Sequence, residues 1–249
     1  MEVQKHPHDV MHKKKWSEYL LEFLMIFLAV FLGFIAENLR EQAVEHHREK
    51  GFMQSLVQDL QTDTLDIQRN INLGVDQSKK MDTLIDLINN GMTGTSIIQL
   101  YRLNNESGSV VSASFEDRTS SQLKNSGGMR LIRNEKIADS IRNYWWRIKT
   151  MEAISDRLAD LGGKIADIGV QLFNNKYYGK HDPTNPFNFA NSVNPSAQLI
   201  NNDPRLLAEY ANRKFSRLGV LYNYINHLKH GKAAATKLIG LIKKEYHLK

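Results

Sequence analysis

The sequence predicts an all-α protein. One N-terminal transmembrane helix continues into a long helical stalk and then an elongated bundle of three or four long helices. Three observations predict it. Tyr19–Ala36 is apolar except for Glu22. Apolar residues recur at three- and four-residue steps from Met53, from Ile137 and from Leu207, each over several turns, as helices packed through a narrow seam require. Glycine and proline are sparse except between those runs.

Residues 1–15, MEVQKHPHDVMHKKK, are polar and read as a disordered basic tail. His6, His8 and His12 have no fixed geometry there, and the lysines suit an anionic membrane face. The membrane span is placed at 16–36. Eighteen helical residues rise about 27 Å, close to the hydrocarbon thickness of a bilayer. A buried core helix is the competing reading, but four phenylalanines, no proline, and Trp16 and Tyr19 at the edge favour lipid. A cleaved signal peptide fits poorly, because Glu22 interrupts the apolar run and Phe34 sits where a cut after Ala36 needs a small residue. Lys5, Lys13, Lys14 and Lys15 precede the span, whereas Arg40, Arg48 and Lys50 follow it mixed with glutamates. The positive-inside rule then puts the N-terminus in the cytoplasm and the C-terminal domain in the periplasm, with the span in the bacterial inner membrane.

Within the span, Glu22 reads either as a hydrated carboxylate near the headgroups or as a polar contact between helices. A heptad step from it meets Met25, Ala29, Leu32, Ala36, Leu39 and Ala43, and Ala29 with Gly33 forms a small-xxx-small pair. Glu22, Ala29, Gly33 and Ala36 are therefore the candidate oligomer contact, since small residues let helix backbones approach.

Residues 37–90 read as a coiled-coil-like stalk, with charges three or four apart up to Lys50. From Met53 the seam runs Val57, Leu60, Thr64, Ile67, Ile71, Gly74, Ser78, Met81, Ile85 and Ile88, and Asn89-Asn90-Gly91 stops it. Asn70–Gly74 is where it could fold into a hairpin. A hairpin would return the C-terminus toward the membrane, and an unbroken helix would leave it far away. Asp59, Asp63 and Asp66 alternate with polar residues and read as a solvated face. Residues 91–249 form the outer helical domain. Thr95–Leu103 is a short helix, 104–114 a loop, and Ser114 the cap of a helix ending at Lys124. Asn134 caps the next long helix, with Ile137, Ile141, Tyr144, Ile148, Met151, Leu158, Ile165 and Leu172 along its seam. Residues 174–203 are an Asn/Pro-rich loop, of a length that is often functional. Pro204 opens the last helix, whose stripe ends at Tyr246.

The net charge of +6 is spread along the chain rather than gathered in a stripe, which speaks against nucleic-acid binding. The absence of cysteine is compatible with an oxidising compartment. Ser121 and Lys124 have the spacing of a serine acyl-enzyme motif, but its companion patterns are missing. No catalytic residue, metal site or cofactor is expected. The best candidate ligand site is an anion-binding corner of Arg118, Lys124, Ser126, Arg130 and Arg133 around Gly127-Gly128. The competing reading is a packed corner whose arginines pair with Glu116, Asp117 or Glu135.

The segments LLEFLMIFLAVFLGFIAENLRE, SLVQDLQTDT and LKNSGGMRLIRNEKIADSIRNYW resemble a family of uncharacterised bacterial single-pass membrane proteins frequent in Bacteroidetes. The resemblance covers the chain to about residue 146 and implies one span, a helical domain and no reaction. The expected function is a non-enzymatic, membrane-anchored envelope protein that acts in assembly, as a scaffold or as a sensor of a ligand or partner. Its partners would be the lipid bilayer, further copies of itself and another envelope protein. The alternative is an oligomeric transport or energy-coupling component in which Glu22 binds or relays a cation.

Overall fold

The computed structural model describes residues 15–91, 94–108, 111–179 and 193–248. The protein is all-α, with no β-strand among the described residues. Five helices follow in order: α1 (Trp16–Asn89), α2 (Gly94–Glu106), α3 (Arg118–Asn125), α4 (Glu135–Leu172) and α5 (Pro204–Glu245). Short 3-10 turns occupy Gly128–Leu131 and Asn175–Tyr177. The backbone divides into two compact units, Met1–Lys50 and Gly51–Lys249. The histidines expected in the tail lie outside the described residues.

The first unit is described from Lys15, and helical from Trp16 to Lys50. No proline interrupts it, and Arg40 donates two hydrogen bonds to Glu37 one turn back.

The second unit is a three-helix bundle of α1 from Gly51 onward, α4 and α5. Its core shows how they run. Met53–Leu60 packs with Ile137–Tyr144 and with Ala235, Leu238, Ile242 and Tyr246. Ile67–Ile85 packs with Met151, Leu158 and Leu218–Leu228. Leu84 packs with Ile165–Phe173, Leu207 and Tyr210. The α4 helix thus runs parallel to α1, and α5 runs antiparallel to both. The heptad seams expected from the sequence supply most of this core: Met53, Leu60, Ile67, Met81, Met151, Leu172, Leu228 and Ile242 are all fully buried.

No hairpin forms at Asn70–Gly74, because α1 continues unbroken to Asn89. Gly74 serves close packing instead: a Cβ there would stand 3.0 Å from Ile225 Cγ1 on α5. Asn70 turns its amide onto the carbonyl and carboxylate of Asp66 in its own helix. Yet the C-terminal Tyr246 still returns beside Met53. The expectation that an unbroken helix leaves the C-terminus at the far end fails. It assumed that successive long helices alternate in direction, whereas residues 94–108 and then 111–133 lie progressively back along the bundle before α4 begins.

Caps follow local chemistry. The Asn134 side chain accepts from the amides of Lys136 and Ile137, and Asp203 accepts from Arg205 beside Pro204. Gly91 and Gly127 hold φ of 79° and 68°, the left-handed conformation that ends α1 and α3. Ser114 is no helix cap. The α3 helix begins at Arg118, and Ser114 lies in an extended stretch.

Candidate functional site

Two surfaces and two buried polar clusters stand out. In the first unit, no residue from Lys15 to Val44 is buried. Trp16, Phe23 and Phe34 are 86%, 64% and 69% exposed, and Phe23, Phe27 and Phe31 stack in series at centroid distances of 6.3 and 5.9 Å. Among the described residues α1 is the one helix long and apolar enough to cross a membrane. Glu22, Ala29, Gly33 and Ala36 all stand exposed on it, and a Cβ on Gly33 would meet nothing within 4 Å. Beyond Ala36 the surface becomes charged. Arg40 donates to Glu37 and holds its carboxyl below the usual carboxylate range.

The corner of residues 118–136 is a packed turn whose cations already have contacts. Arg118 donates to Asp59 Oδ1 at 2.9 Å, a partner on α1 rather than the expected Glu116, Asp117 or Glu135. The Lys124 ammonium lies 4.2 Å above the Trp145 ring. The Ser126 hydroxyl donates to the Gln122 carbonyl at 2.6 Å. Arg130 and Arg133 stand exposed. The turn brings these residues close in the chain, but it commits Arg118, Lys124 and Ser126 to protein contacts.

Asp59, Asp63 and Asp66 do not form the solvated face expected of them. Asp59 and Asp63 are 4% and 2% exposed. Spaced by four and three residues, they share one face of α1 and form a ladder that receives the irregular segment of residues 111–117 and the first turn of α3. Asp66 Oδ2 accepts from the Ser114 amide at 2.8 Å, Asp63 Oδ1 from the Glu116 amide at 2.8 Å, and Asp59 Oδ2 from the Thr119 amide at 3.1 Å. Tyr144 of α4 donates to Asp63 Oδ2 at 2.7 Å. A segment outside helix and sheet, like the first turn of a helix, must place its amides somewhere, and these carboxylates take them. On the segment's other face Val111 and Ala113 enter the core, and the Ala113 amide donates to the Tyr224 hydroxyl at 3.0 Å. Burial, with Asp59 and Glu116 nearby, raises the Asp63 carboxyl to about 6, although the bonds from Glu116 and Tyr144 oppose the rise. The signal available in the sequence was a row of aspartates flanking the apolar seam, opposite a segment with two-residue apolar alternation at Val111, Ala113 and Phe115.

The second cluster lies where α2 meets α5. Lys214 and Arg217 are 1% and 3% exposed. Lys214 Nζ donates to Ser107 Oγ at 2.9 Å and lies 5.4 Å from the Tyr210 ring centre. Arg217 donates to the Ser107 carbonyl at 3.0 Å, so two cations meet the C-terminal end of α2, where the helix dipole favours positive charge. Burial, aided by the adjacent Arg217, brings Lys214 down to about 7. Nearby, the Tyr210 hydroxyl donates to Asn104, whose amide donates to the Tyr178 hydroxyl at 2.8 Å. The ends of the 174–203 connection are therefore not a free loop. Phe173 bridges Leu199, Tyr178 bridges Val193, and Tyr101 donates to the Gln198 carbonyl at 2.8 Å. Residues 180–192, the middle of that expected loop, lie outside the described residues.

Against known proteins the chain finds no counterpart: no protein-family model matches it, and neither does any curated protein or solved structure.

Proposed function

We propose that this chain is a single-pass, membrane-anchored helical protein of the bacterial envelope, without enzymatic activity, that self-associates through α1. It offers its second unit to a partner or ligand. The observation that carries the reading is the unburied apolar stretch of α1: the apolar side chains of Tyr19–Ala36 find no cover among the described residues. Water rejects such a surface, and a bilayer of about 30 Å accepts it. The lysines before the span favour an N-terminus in the cytoplasm.

Self-association is assigned to the face of Glu22, Ala29, Gly33 and Ala36. Its small residues allow close helix approach in lipid, where apolar bulk alone gives helices no reason to associate. Sedimentation equilibrium of the full chain in detergent, corrected for bound detergent, tests it. A defined oligomer is expected, shifted to monomer by Gly33→Leu. A monomer at every concentration would overturn the assignment. In the same experiment Glu22→Gln is expected to weaken the oligomer, because the carboxylate acts as an interhelical contact. An unweakened Glu22→Gln oligomer would remove that role.

A further inference from the structure

The second unit carries a groove between α1 and α5 that the proposed function does not use. Its volume is about 640 Å³, within the range of small-molecule sites. Gln68 and Ile71 line it from α1, and Lys229, Lys232, Ala233, Thr236 and Lys237 from α5. The floor is largely carbon, and the rim holds three lysines with no carboxylate among the lining residues. Lys232 donates to the neutral Gln68 Oε1 at 2.7 Å. Lys229 and Lys237 have no ion-pair partner among the described residues and stand exposed.

We infer that this groove binds a small soluble organic phosphate, with the anion among the three lysines and an apolar body over Ile71 and Ala233. Lys229 and Lys237 lie eight residues apart, about 12 Å along the helix. Flexible lysine stems with Lys232 between them can converge on one phosphate from both ends. The cations are lysines alone. An ammonium is a compact point charge that suits phosphate, and a phosphate dianion gains more from three such charges than a singly charged carboxylate does. The apolar floor adds affinity that a bare anion cannot use.

The test is ligand-observed saturation-transfer NMR on the full chain in phosphatidylcholine nanodiscs, with 1-naphthyl phosphate as probe and empty nanodiscs as blank. Saturable binding is expected below about 5 mM, displaced by inorganic phosphate only at concentrations about tenfold higher, and weakened by added salt. Lys229→Gln with Lys237→Gln is expected to weaken the probe at least tenfold, and Lys243→Gln with Lys244→Gln to leave it unchanged. Both pairs are exposed or half-buried, so each variant should fold. No saturable signal, or equal loss in both double variants, would overturn the site. Equal affinity for inorganic phosphate would do the same by removing the apolar contact. If the Lys229/Lys237 variant instead lost only its binding to phosphatidylglycerol vesicles, the groove would be a lipid contact and the inference wrong.

Discussion

Asp63 shows what a single buried carboxylate does in this bundle. It accepts from the Glu116 amide and from the Tyr144 hydroxyl. Truncation in Asp63→Ala strands both donors, and each buried orphan costs about 1–3 kcal/mol. Asp63→Asn keeps one acceptor, and the Tyr144 hydroxyl can turn to accept from the new amide. The pH dependence separates the two roles. The carboxyl titrates near 6 in the folded chain and near 3.9 when unfolded. The folded chain therefore holds more protons between pH 4 and 6, and this group's contribution to stability falls as pH rises through that window. Thermal unfolding followed by circular dichroism should show the wild type losing ground to Asp63→Asn between pH 4 and 7. Parallel curves for the two proteins would contradict the assignment. Lys214 has the opposite sense. Its folded value near 7 lies below the unfolded value of about 10.4, so its contribution to stability rises with pH from 7 to 10. Lys214→Met should flatten that slope and stabilise the protein near pH 6, on the order of 1–4 kcal/mol, as when buried charges yield to apolar volume. A loss of stability at pH 6 would mean that the ammonium's bond to Ser107 outweighs its desolvation.

At the scale of the element, the long seams were readable because each keeps its spacing over many turns. Every residue from Met53 to Leu60 that the heptad step selects is buried, and so are Ile137, Ile141 and Tyr144 in α4. Between α1 and α4 the two short helices were readable, Thr95–Leu103 within α2 and the stop after Lys124 at the end of α3, but the course of residues 111–117 was not. Its order comes from side chains distant in sequence, namely the aspartates of α1, and a row of aspartates on a helix looks the same whether it meets water or a backbone. The same limit applies to the corner, where Arg118 reaches Asp59 instead of an acid near it in the chain. Gly74 was read as a weak point, and it is a contact. Gly74→Leu should push α5 from α1 at Ile225 and destabilise the second unit by about 1–3 kcal/mol. A denaturant midpoint equal to wild type would mean that the helices part there without cost.

For the whole molecule, the two units differ in the surface they present. Large exposed apolar side chains crowd the stretch from Tyr19 to Ile35, broken by the charge of Glu22 alone, whereas in the second unit they are scattered singly, as at Leu65, Trp146 and Phe215. Residues 51–249 expressed alone should accordingly be soluble, helical and cooperative in unfolding. Aggregation of that fragment would mean that the bundle needs the preceding helix. Whether α1 anchors the protein in the membrane is decided by the intact mass of the protein recovered from alkaline carbonate-washed membranes. A protein that retains residues 16–36 is expected in the washed membrane. A soluble product lacking the N-terminal apolar segment would contradict it, because that segment would then be a removed signal and not an anchor.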